Sequence, residues 1–63
     1  MSAKEHLMKT IELVKADIAM HARLLAEATT DEGRAYQQRQ IEICERQLAK
    51  REAMLSAEVT RSN

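Results

Sequence analysis

Thr29-Thr30-Asp31-Glu32-Gly33 is the stretch that decides the fold. Two threonines, poor helix formers, precede two acids and the only glycine of the chain. Such a run interrupts a helix and restarts one. Thr29 and Glu32 have the capping-box spacing, which starts a helix at about residue 30. Thr30 as the cap, with Asp31 and Glu32 in the first turn beside the positive end of the helix dipole, is equally good. Either form leaves a connection of a few residues, and short connections make antiparallel neighbours. The competing form is one continuous helix bent through Gly33, since one glycine costs only about 1 kcal/mol.

On the N-terminal side of the break, Ser2-Ala3-Lys4-Glu5 forms another capping box. Apolar residues then recur as Leu7, Ile11, Val14, Ile18, Leu25 and Ala28, in heptad steps of four and three, with His21 in the one missing place. On the C-terminal side the same steps give Gln37, Ile41, Cys44, Leu48, Arg51, Leu55 and Glu58. Folded antiparallel about the break, the two seams register. Leu7 faces Leu55, Ile11 faces Arg51, Val14 faces Leu48, Ile18 faces Cys44, His21 faces Ile41 and Leu25 faces Gln37. Agreement between two independently read seams predicts an all-α, coiled-coil-like antiparallel hairpin. The whole chain is one domain. Helix 1 spans about 3–28, the turn about 29–31 and helix 2 about 31–59, and the polar tail 60–63 frays. The predicted hairpin core is Leu7, Ile11, Val14, Ile18, His21, Leu25, Ile41, Cys44, Leu48 and Leu55.

Composition supports this class. The chain has no proline and one aromatic residue, and it is rich in Ala, Glu, Lys, Arg, Gln and Leu. No stretch alternates in the manner of a strand. An intramolecular disulfide is excluded, because Cys44 is the only cysteine, and a single cysteine fits a reducing compartment. Met1 to Lys15 mix charges with apolar residues, unlike a signal peptide, and no apolar run approaches a membrane span. The expected location is the cytoplasm, with no membrane partner.

The seams leave apolar residues over. Leu13, Met20 and Leu24 on helix 1, and Tyr36, Ile43 and Met54 on helix 2, all occupy heptad positions c and g. In an antiparallel pair the g flanks of both helices face the same side, so these six form one face. Burying a large apolar side chain contributes roughly 1.5–3 kcal/mol, so six left bare would forgo on the order of 10 kcal/mol. Self-association is the simplest remedy: two hairpins stacked face to face make a homodimeric four-helix bundle. A trimer, a tetramer, or a monomer whose face awaits an unidentified protein partner are the alternatives.

Chemistry is thinly represented. Zinc wants four ligands, and His21, Cys44 and Asp17 lack any CxxC, HxxxH or HExxH spacing, so no metal is expected. Asp17 stands four residues before His21 and is placed to hydrogen-bond to it. A core histidine beside a small thiol is the plainer reading. Two helices offer no cleft in which Cys44 would be activated as a nucleophile. No catalytic residue and no cofactor is expected. Arg51, at a seam position, is read as reaching outward or pairing with Glu52 or Glu12. Gln37, His21 and Arg51 together are candidates to fix register and oligomeric state.

Ten acids balance ten bases, which argues against general polyanion binding. The outer faces carry Lys9 and Arg23 on helix 1 and Arg39 and Arg46 on helix 2. Pairs such as Glu5–Lys9 and Glu42–Arg46 have the favourable i, i+4 order. The four bases are nonetheless the candidate nucleic-acid contacts, doubled by a two-fold axis. In length and hairpin layout the chain resembles the Rop-type dimer, a plasmid copy-control family whose four-helix bundle binds paired RNA loops. The resemblance implies a bundle and an RNA partner. The aromatic on that family's RNA face has no counterpart in helix 1. Compact charged helical proteins of this size also resemble phage and plasmid proteins that redirect a host protein. The expected function is a small non-enzymatic protein-binding module, a regulator or adaptor acting as a homodimer. An RNA- or DNA-binding regulator and a purely structural oligomerisation module are the alternatives.

Overall fold

A computed structural model describes residues 2–62. It contains two helices, α1 (Ala3–Glu27, 25 residues) and α2 (Asp31–Ser62, 32 residues), packed against each other as a hairpin. The competing continuous helix is thereby excluded.

Side-chain caps set where each helix starts. Ser2 holds extended backbone angles, and its hydroxyl accepts from the Glu5 amide at 3.2 Å. Thr30 plays the same part for α2: its Oγ1 accepts from the Gly33 amide at 3.0 Å. Of the two cap arrangements open from the sequence, Thr30 is therefore the one adopted. The link is Ala28, Thr29 and Thr30, one residue earlier than expected, and Gly33 lies inside the first turn of α2. Among the described residues none has positive φ, so Gly33 serves close approach rather than a left-handed turn. A Cβ placed there would stand 3.0 Å from Thr30 Oγ1 and 3.8 Å from the Ala28 Cβ.

Arg34 braces the link. Its Nη1 donates to the Ala28 carbonyl at 3.3 Å, and its Nη2 pairs with Asp31. This puts a cation at the C-terminal end of α1, whose own last turn carries no base. α2 extends beyond the expected end at about residue 59. The helix continues to Ser62, with Thr60 Oγ1 donating to the Ser56 carbonyl at 3.0 Å and Arg61 pairing with Glu58 at 3.4 Å. Asn63 lies outside the described residues.

The core is a single seam. Ile11 and Val14, at 5 % and 6 % exposure, are the only buried residues among those described. Leu7, Ile18, His21, Leu25, Ile41, Cys44, Leu48 and Leu55 are half-buried along the same line. A molecule 49 Å long, 17 Å wide and 12 Å deep has room for no more. No helix of the described residues is long and apolar enough to cross a membrane.

Candidate interaction face

All six surplus residues are exposed. Leu13, Met20, Leu24, Tyr36, Ile43 and Met54 range from 39 % to 66 %. Because Ile11, Val14 and the rest of the seam point at the opposite helix, positions c and g of both helices turn to one side. The six therefore share a face of the hairpin. Half-buried Thr10, Gln40 and Gly33 lie along its inner edge. Two further apolar residues, Met8 at 50 % and Val59 at 41 %, are exposed at e positions on the opposite flank. The sequence reading left them out because they fall on neither the seam nor its surplus stripe.

Total area gives the scale. The chain exposes 4918 Å² at a mass of 7.2 kDa. A compact monomer of that mass exposes about 4100 Å². The excess of about 800 Å² is what one partner contributes to a standard protein–protein interface. The elongated shape and the bare apolar face are two descriptions of the same deficit: one seam cannot close a core.

Polar seam residues are placed as follows. His21 Nδ1 and Gln37 Oε1 are 2.7 Å apart across the hairpin. This replaces the expected Asp17–His21 bond. Gln37 stands one turn nearer the link than Ile41, the residue that the face-to-face register set opposite His21. Arg51 is half-buried and donates from Nη1 to the Gln47 carbonyl at 3.4 Å, so its head turns outward. It forms neither of the expected pairs, with Glu52 or Glu12. Cys44 is a half-buried free thiol. Among the described residues no three His, Cys, Asp or Glu side chains converge on a metal-sized site.

Lys9, Arg23, Arg39 and Arg46 are all exposed. Each sits at heptad position f, the side turned away from the neighbouring helix. Two therefore lie on one outer edge of the hairpin and two on the other, and the fold does not gather them. The expected pairs Glu5–Lys9 and Glu42–Arg46 are not formed. The ion pairs among the described residues, Glu12–Lys15, Asp31–Arg34 and Glu58–Arg61, are all one shorter step apart, at i, i+3.

No family model, curated protein or solved structure matches this chain.

Proposed function

We propose that this protein is a non-enzymatic protein-binding module that works as a homodimer. Two hairpins stack through Leu13, Met20, Leu24, Tyr36, Ile43 and Met54 and close a four-helix bundle. As a small regulator or adaptor it then presents its outer faces, link and helix ends to another protein. The observation that carries the reading is the exposed six-residue apolar face, on a hairpin with only two buried residues among those described. Patches of this kind mark interaction sites. Self-association covers the face with the one surface known to be present at equal concentration and equal length.

Two experiments test the reading at its two levels. Replacing Ile43 with Glu puts a charge in the middle of the proposed interface, and the expected product is a largely unfolded monomer. A folded, dimeric Ile43→Glu protein rejects the assigned face. Affinity capture from the native host, with this variant as control, tests the adaptor role. Return of nothing but the chain itself leaves a structural oligomerisation module.

A further inference from the structure

The homodimer reading leaves open which way the second hairpin points, and the distribution of side chains along the face decides it. Resting on that reading, we propose that the two copies dock with their links at the same end, α1 of each against α2 of the other.

Contacts within the hairpin fix the heights of the residues. Leu7 shares a groove with Met54 and Glu58, and Thr10 shares one with Lys50 and Arg51. His21 meets Gln37, and Ala28 stands beside Gly33. In this register Leu24 is level with Tyr36, and Met20 with Ile43, to within about 3 Å at 1.5 Å rise per residue. These four occupy only about 10 Å of height, next to the link. Leu13 and Met54 stand apart, nearer the open end. Asp17 lies on the same flank, near mid-height.

A two-fold axis parallel to the bundle keeps every residue at its own level and sets α1 opposite α2 of the second copy. Leu24 then meets Tyr36 of the other chain, and Met20 meets Ile43, each contact made twice. Leu13 falls on the apolar stems of Gln47 and Lys50. The Lys50 ammonium comes within about 8 Å of height of Asp17, inside a lysine's reach.

A two-fold axis across the bundle sets α1 against α1 and inverts the heights. At full overlap the axis passes close to Asp17, so two carboxylates face each other at the centre of the interface, which is destabilising. Met20 and Leu24 of each copy then slide over Thr10 and His6 on α1, and Ile43 slides over Lys50 on α2, while Tyr36 falls on Met54 and Ala57. Moving the axis to bring the clusters together leaves Met54 past the end of the other hairpin. It also halves the overlap of a molecule only 49 Å long. At full overlap the same-end arrangement pairs the four clustered residues Met20, Leu24, Tyr36 and Ile43 with one another and sets Asp17 near Lys50, whereas the opposite-end arrangement pairs Tyr36 with Met54 and Ala57 but sets Asp17 against its own copy.

The test is a pair of spin-label distances, read by pulsed electron resonance in a Cys44→Ala background that leaves no other thiol. Thr29→Cys labels the link and Ala3→Cys the open end; both positions are exposed. Either site reports alone if the other variant does not fold. With neighbouring helix axes about 8–10 Å apart, links at the same end give distances below about 25 Å at both sites. Distances approaching the 49 Å length of the hairpin overturn the orientation and leave the homodimer standing. A chain that sediments at 7.2 kDa gives no inter-chain distance and overturns both.

Discussion

Truncating Leu13 separates a free hairpin from a bundle, because the side chain has a different environment in each. In the hairpin Leu13 is 66 % exposed, so about a third of it is covered. Full burial of a leucine contributes roughly 1.5–3 kcal/mol, so Leu13→Ala in a monomer forfeits about 0.5–1 kcal/mol. Alanine's better helix propensity returns a few tenths of a kcal/mol. In the bundle the remaining two thirds is also buried. The loss then rises by about 1–2 kcal/mol per chain, and by twice that per dimer. Ile11→Ala is the reference: at 5 % exposure it is enclosed in either state, and it costs about 2–5 kcal/mol. Urea unfolding followed by circular dichroism, at two protein concentrations a decade apart, reads both effects. The expected result is a Leu13→Ala midpoint well below that of the unmodified chain, with both midpoints rising with concentration. A Leu13→Ala curve that overlays the unmodified one, with no concentration dependence, would refute the reasoning.

Other perturbations have definite expectations. Thr30→Ala removes the hydroxyl that accepts from the Gly33 amide and is expected to cost about 1 kcal/mol in the same unfolding assay, while Thr29→Ala changes little. His21→Leu strands Gln37 Oε1 in a half-buried site and costs about 1–3 kcal/mol. The double variant His21→Leu/Gln37→Leu recovers most of that loss, and sedimentation shows whether the oligomeric state loosens once the polar pair is gone. Arg34→Ala loses only exposed contacts and is expected to shift stability by less than about 1 kcal/mol. Because the four outer bases are not gathered, no retention on an RNA pool is expected at low salt. Retention that falls steeply with salt and weakens in Arg39→Ala or Arg46→Ala would reinstate the nucleic-acid reading.

The helical hairpin was legible because its determinants are local or periodic. Ser2 and Glu5, Thr30 and Asp31, and the seam steps of three and four need only residue type and spacing. The choice between Thr29 and Thr30 was not legible, since each precedes an acid at workable spacing. Geometry decides it, through which amide stands within reach of a hydroxyl. The end of α2 was read short for a related reason. The apolar pattern stops near Val59, but backbone bonding and the Thr60–Ser56 contact carry the helix on to Ser62. Arg34 escaped notice because its role depends on where the Ala28 carbonyl points once the link is formed. The His21–Gln37 contact follows from knob-into-hole packing, which offsets partners by a turn from a simple face-to-face pairing. Surface ion pairs are set by rotamers on a solvated face, and little in a sequence distinguishes i, i+3 from i, i+4 there.

Sedimentation equilibrium of the unmodified chain at micromolar concentration, with circular dichroism on the same sample, bears most directly on the account. A helical particle at twice the 7.2 kDa chain mass is the predicted result. A fully helical particle at 7.2 kDa, stable on dilution, would contradict it, because the six-residue face would then need no cover.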